Sequence, residues 1–107
     1  MDLASLQRIK IFMEFIQGAK QTGTKLSFVS TPTEHGDNIT ATAIIDGKFV
    51  NTGILFWDVS LLQEQGFVDT LDEDDLALGM NLTDGMVEDA EQILNFIEAQ
   101  LRQFEAS

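Results

Sequence analysis

The sequence predicts an α+β fold: an N-terminal helix, a three-stranded antiparallel meander, short helical segments and a long C-terminal helix packed on one sheet face. Apolar residues recur at helical spacing near both ends of the chain. In the middle of the chain, apolar and polar residues alternate as they do in strands. An Asp-Gly pair separates the two clearest strands, as expected of a two-residue hairpin. The length of 107 residues predicts a single domain spanning residues 1–107.

The first predicted element is a helix over residues 3–20. Its apolar stripe follows the helical period and consists of Leu6, Ile9, Phe12, Met13, Ile16 and Ala19. Gly18 and Gly23 mark its end, because glycine is common just after a last helical turn. Ile11 and Phe15 lie beside the stripe and widen the apolar arc beyond half of the circumference.

Three strands are predicted next, over residues 25–30, 38–45 and 48–58. Asp46-Gly47 joins the last two, because a two-residue type I′ turn needs positive φ at both central positions. This turn sets the register, with Ile45 opposite Lys48 and every second pair on the same face. One face is a candidate core face, formed by Ile39, Ala41, Ala43, Val50, Thr52, Ile54 and Phe56. The other face mixes polar and apolar residues.

Helices are predicted again after the sheet. Ser60 and Gln63 have the spacing of a capping box that opens a short helix ending at Gly66. Thr70 and Glu73 repeat that spacing and predict a second helical segment. A final helix is predicted over residues 84–105, with an apolar stripe of Met86, Ala90, Ile93, Leu94, Ile97, Leu101 and Phe104.

The composition argues against catalysis and cofactor binding. The chain has no Cys, no Tyr and one His, so thiolate metal sites, iron–sulfur clusters, disulfides and cysteine nucleophiles are excluded. The His, His35, lies in a Gly-Asp turn without a nucleophile motif, and an exposed turn residue is the simpler interpretation. The acids of residues 69–75 lack the glycine and glutamate spacing of a calcium loop. We therefore expect no enzymatic activity, no metal and no cofactor.

The net charge of −12 is confined to one half of the chain. Residues 1–57 hold five acids and five bases, whereas residues 58–107 hold thirteen acids and one base. Such a charge opposes direct binding to nucleic acid or to an anionic membrane. The longest apolar run has four residues, which is too short to span a bilayer, and the first residues lack the features of a secretory signal. A cytoplasmic location is therefore expected.

Two groups of acids are candidate partner-binding residues. The first group comprises Asp69, Asp72, Glu73, Asp74 and Asp75. A purely structural interpretation of this group is that it lies at a helix N-terminus, which favours acids in the first turn. The second group falls within an arc about 100° wide on the last helix and comprises Asp84, Glu88, Glu91 and Glu98, with Glu105 beyond them. A solvated helix face usually mixes both signs of charge, so the single-sign arc favours a functional surface.

The favoured function is an acidic binding protein that engages a basic protein surface, of the kind that binds nucleic acid. DNA mimics such as phage anti-restriction and anti-CRISPR proteins, and immunity proteins of nuclease toxins, work in this way, and the analogy rests on fold class and charge alone. The alternative is an acidic, dimeric chaperone or adaptor of the secretion-chaperone type. It would bind a client segment, or form a homodimer, through exposed apolar residues: Ile11, Phe15, Leu55 and Trp57. The alternative to an interaction surface is that the short helices after the sheet bury these four residues.

Overall fold

A computed structural model of the chain describes residues 2–34, 36–67 and 85–106. The elements are α1 (Leu3–Thr22), β1 (Leu26–Thr33), β2 (Gly36–Ile45), β3 (Lys48–Leu55), α2 (Phe56–Glu64) and α3 (Ala90–Ala106). Residues 85–88 are also helical and lead into α3. The order of elements confirms the predicted α+β fold. His35 and the capping-box pattern that begins at Thr70 lie outside the described residues.

Helix α1 is closed at both ends by local chemistry. Asp2 is the N-cap, and its Oδ1 accepts a hydrogen bond of 2.7 Å from the Ser5 N–H. Gly23 ends the helix in the left-handed conformation with φ 70°. Gly18 was expected to help mark the end, but the helix continues through it to Thr22. Tertiary packing of the apolar stripe therefore outweighs the low helix propensity of one exposed glycine.

The Asp2 cap makes stability dependent on pH. The Ser5 N–H holds the pKa of Asp2 below its ordinary value, so the folded state prefers the carboxylate. This contribution is present above the pKa of the unfolded chain and is lost as pH falls through the folded pKa. Asp2→Ala should lower the melting temperature more at pH 7 than near pH 2. Asp2→Asn, which keeps an acceptor oxygen, should lose less at pH 7, and equal losses in the two variants would contradict the cap.

The sheet has the order β1-β2-β3, and both pairs of strands are antiparallel. The predicted register is confirmed, because Ile45 pairs with Lys48 and Ile39 pairs with Ile54. Asp46 and Gly47 have φ 52° and 75°, as the type I′ turn requires. The hairpin turn thus fixes which side chains of β2 and β3 face the helices.

Replacing Gly47 by a β-branched residue should strain this turn. A Cβ at Gly47 would meet no atom within 4 Å, so the cost arises from the positive φ alone. We expect Gly47→Val to lower the free energy of unfolding by about 1–3 kcal/mol. Gly47→Asn is the matched control and should lose less, since Asn tolerates the left-handed region. Urea unfolding measures both, and equal values for the two variants would contradict the argument.

The boundary between β3 and α2 differs from the prediction. The strand ends at Leu55 rather than at residue 58, and α2 begins at Phe56 rather than at Ser60. The Asp58 carboxylate accepts the Leu55 N–H at 3.1 Å and closes the first turn of α2. The Ser60 hydroxyl instead donates to the Phe56 carbonyl inside the helix, so the predicted capping box does not form. The predicted end of this helix at Gly66 agrees with the structure, where Gly66 has φ 89°.

The helices cover one face of the sheet and form one core with it. α3 packs against α1, and α1 and α2 pack against β2 and β3. The buried cluster includes Leu6, Ile9, Phe12, Met13, Ile16, Ile39, Ala41, Ile54, Val59, Leu62, Met86, Ala90, Ile93 and Ile97. Val50 and Phe104 were predicted to be buried but are exposed. Val50 lies on the edge strand near the hairpin, and Phe104 lies in the last turns of α3.

Candidate binding surfaces

The first candidate surface is the acidic face of α3 and the turn before it, which we define as Glu88, Glu91, Glu98 and Glu105. All four side chains are exposed. The opposite side of the same helical stretch is fully buried through Met86, Ala90, Ile93 and Ile97. This division follows from the helical period, because apolar residues fix the helix against α1 and therefore orient the acids outward. The predicted exposure of Glu88, Glu91 and Glu98 is confirmed.

No ion pair neutralises the acidic face within the described part of the chain, where the two ion pairs join Arg8 to Asp58 and Lys10 to Glu14. Glu98 and Arg102 are spaced for a pair at i and i+4, but none forms between them. Lys20 lies near the start of the face, and its Nζ donates to the Val87 carbonyl at 3.2 Å.

Arg102 and Lys10 lie at the other end of the face. They line a surface groove of about 380 Å³ between α1 and α3, together with Gln7, Glu98, Leu101 and Glu105. Both signs of charge occur in this groove, so the negative potential is weaker here. Glu88 and Glu91 do not line this groove, and Lys20 is the base that lies near them.

The remaining predicted acids cannot be placed on this face. Asp69, Asp72, Glu73, Asp74, Asp75 and Asp84 lie outside the described residues. Their assignment to a partner-binding surface therefore stays a prediction from the sequence.

The second feature is a buried ion pair that the sequence analysis did not anticipate. Arg8 Nε donates to Asp58 Oδ2 at 3.0 Å, and Arg8 Nη2 donates to Asp58 Oδ1 at 2.9 Å. The Asp58 side chain is fully buried, whereas that of Arg8 is 39% exposed. Arg8 Nη2 also donates to the buried Ser5 hydroxyl, and Leu55 N–H donates to Asp58. The hydrogen bond to Asp58 raises the pKa of Arg8 above its ordinary value.

This ion pair has a structural role. It joins α1 to the first turn of α2 across 50 residues, and both carboxylate oxygens are used. A buried carboxylate that accepts three hydrogen bonds has little capacity left for a ligand. A sequence signal was available in retrospect, because an acid at the third position of a helix often accepts the N-cap N–H. The predicted start of α2 at Ser60 concealed that position.

The third feature is an apolar edge, which we define as Ile11, Phe15, Phe49, Leu55 and Trp57. Ile11 and Trp57 are exposed at 60% and 58%, while Phe15 and Leu55 are partly buried. Burial of all four predicted residues under the later helices is therefore not observed. Phe49, which sequence reasoning did not select, is 77% exposed.

The apolar residues extend around the tip of the hairpin. Ile44 and Ile45 are exposed there, and together with Phe15 they line a groove of about 520 Å³ between the end of α1 and the turn. Ile44 pairs with Phe49 across the two strands, on the sheet face opposite the helices. The uncovered apolar surface thus continues from α1 onto β3 and the turn.

In residues 2–34, 36–67 and 85–106, no group of three or more His, Asp or Glu side chains could hold a metal ion. None of the helices in these ranges is long and apolar enough to cross a membrane.

Comparison of the chain with protein-family models, curated proteins and solved structures gave no match. Functional inference therefore depends on the acidic face and the apolar edge.

Proposed function

We propose that this chain is a non-enzymatic binding protein that engages a basic protein surface through the acidic face. The observation that supports the proposal is that Glu88, Glu91 and Glu98 are exposed, unpaired with any described base and fixed on a helix anchored by buried residues. Acids without internal ion pairs are available to a partner of opposite sign.

The geometry of the face suits a partner that binds nucleic acid. Glu88 and Glu105 are 17 positions apart, which corresponds to about 25 Å of helix. Glu88 and Glu91, at i and i+3, lie about 5–6 Å apart, a spacing similar to that of phosphates along a strand. A protein that binds DNA presents Lys and Arg to a comparable row of negative charges. A preformed helix could occupy such a basic groove without a large ordering cost.

This proposal places the chain functionally with inhibitors that mimic DNA, such as phage anti-restriction and anti-CRISPR proteins or immunity proteins of nucleases. Asp69, Asp72, Glu73, Asp74, Asp75 and Asp84 would extend the acidic surface along the chain. A cytoplasmic location belongs to the same proposal, because such partners act on nucleic acid inside the cell. No direct contact with nucleic acid is proposed, since like charges repel.

A chaperone or adaptor that binds a client segment is the second candidate function. The exposure of Ile11 and Trp57 favours it, because uncovered apolar residues mark interaction sites. Such binding would weaken when Trp57 is replaced by Ala and would respond little to salt. The two candidates therefore differ in the residue that matters and in the effect of ionic strength.

Capture from a host extract can separate the two candidates when matched variants are used. The test variant is Glu88→Lys/Glu91→Lys, which reverses two acids of the acidic face. The control variant is Glu34→Lys/Asp37→Lys, which reverses two exposed acids near the β1–β2 turn and changes the net charge equally. Immobilised proteins are loaded at low salt and eluted with a salt gradient, and the eluted proteins are identified by mass spectrometry.

We expect the wild type and the control variant to retain the same basic protein, eluting at about 0.3–0.5 M salt. The test variant should release it at lower salt, and a DNA duplex should compete with the wild-type protein for it. Equal retention by all three proteins would contradict a role for the acidic face. Loss of retention in both charge-reversed variants would indicate a general charge effect. Loss of retention only in Trp57→Ala would favour the second candidate.

A further inference from the structure

Within residues 2–34, 36–67 and 85–106, strand β3 is an open edge of the sheet, because the strand order is β1-β2-β3. In a two-residue hairpin the residues that flank the turn exchange both hydrogen bonds, so Lys48, Val50, Thr52 and Ile54 bond to β2. The backbone N–H and C=O groups of Phe49, Asn51 and Gly53 therefore point away from β2. The next outward N–H, that of Leu55, is already bonded to Asp58. Three consecutive outward positions remain for another strand.

The two edges of this sheet differ in how they are protected. By the same alternation, Leu26, Phe28, Ser30 and Pro32 are the outward positions of β1. Pro32 lacks the N–H that pairing would require, and Pro is a common protection of edge strands. β3 contains neither Pro nor an acid, and its single charge, Lys48, lies next to the turn. The edge formed by β3 thus lacks the features that usually prevent strand pairing.

Apolar side chains flank this open edge. Phe49 and Trp57 are 77% and 58% exposed, which corresponds to about 300 Å² of aromatic surface. A standard interface takes about 800 Å² from each partner. Val50 adds exposed apolar surface on the helical side of β3. In a paired arrangement these side chains and the outward backbone groups of β3 would be buried together.

The distribution of charge favours a second copy of this chain as the partner that pairs with β3. Each copy carries a net charge of −12, but residues 1–57 hold equal numbers of acids and bases. Pairing through β3 brings the neutral halves together. The acidic face lies on α3, which packs mainly against α1. A basic partner has no charge to engage at this edge, whereas an identical strand meets it without repulsion.

We propose that two copies associate by antiparallel pairing of β3 with β3, which forms a continuous six-stranded sheet. The outward positions allow a two-fold axis at Asn51, with Asn51 opposite its equivalent and Phe49 opposite Gly53 of the second copy. The association does not depend on the acidic face, so it can hold or fail separately from the proposed function.

The mass of the protein in solution tests this proposal. At about 100 μM protein, light scattering should give twice the 11.9 kDa of one chain. Asn51→Lys and Asn51→Glu should each give the mass of one chain, because the two-fold axis places like charges opposite each other. An equimolar mixture of the two variants should regain the double mass. Ser30→Lys, a matched change at an outward position of β1, should remain a dimer. Circular dichroism checks that each variant is folded.

A disulfide cross-link tests the register independently. The chain has no Cys, so Asn51→Cys introduces a single thiol. Opposed residues of a hydrogen-bonded pair are about 5.5 Å apart at Cα, within the range of disulfides. Mild oxidation should cross-link Asn51→Cys nearly completely and Ser30→Cys hardly at all. A wild-type mass of one chain, a dimer unaffected by Asn51→Lys, or equal cross-linking of both Cys variants would each overturn the proposal.

Discussion

Arg8→Met is expected to lower the free energy of unfolding by about 2–4 kcal/mol. The substitution leaves the Asp58 carboxylate buried with the Leu55 N–H as its remaining hydrogen-bond donor among the described residues. We place the loss below that of a fully buried pair, because Arg8 is 39% exposed and water already stabilises part of its charge. Urea unfolding at pH 7 measures the loss.

The double variant Arg8→Met/Asp58→Asn is the control for this interpretation. An amide at position 58 retains an oxygen for the Leu55 N–H and carries no charge that needs a cation. We expect the double variant to be more stable than Arg8→Met at pH 7. A loss of less than about 1 kcal/mol in Arg8→Met, unchanged by the second substitution, would show that the ion pair does not join α1 and α2 as described.

Ile93→Ala is expected to lower the free energy of unfolding by about 2–5 kcal/mol. Ile93 lies on the inner side of α3 and is fully buried in the core. Its truncation leaves a cavity that the surrounding side chains fill only in part. Glu91→Ala changes an exposed residue two positions earlier and should alter stability by less than about 0.5 kcal/mol. Similar values for the two variants in urea unfolding would contradict the assignment of the buried and exposed sides of α3.

Local signals in the sequence predicted the parts of the fold that depend on local chemistry. Asp46-Gly47 determined the turn and the register, because few other dipeptides adopt positive φ at both positions. The apolar stripes of α1 and α3 predicted which sides are buried. The start of α2 could not be obtained in this way, because Phe56 and Trp57 favour a strand by propensity. The cap from Asp58 and its pairing with Arg8, 50 residues away, outweigh that propensity.

The candidate surfaces were predictable to a similar extent. The exposure of Glu88, Glu91 and Glu98 followed from helical periodicity alone. Phe49 was missed as a surface residue, because alternation in a strand does not reveal whether the second face of a sheet is covered. Tertiary arrangement decides this, and here the described helices all pack on the other face.

Recognition of a basic protein by the acidic face can be tested through the affinity of the purified partner for matched variants. The dissociation constant is measured at about 0.1 M salt for the wild type, Glu88→Lys/Glu91→Lys and Glu34→Lys/Asp37→Lys. We expect at least a tenfold weaker affinity for the first variant, equivalent to about 1.4 kcal/mol, and less than about a threefold change for the second. Equal affinity of wild type and Glu88→Lys/Glu91→Lys would show that the acidic face does not bind the partner.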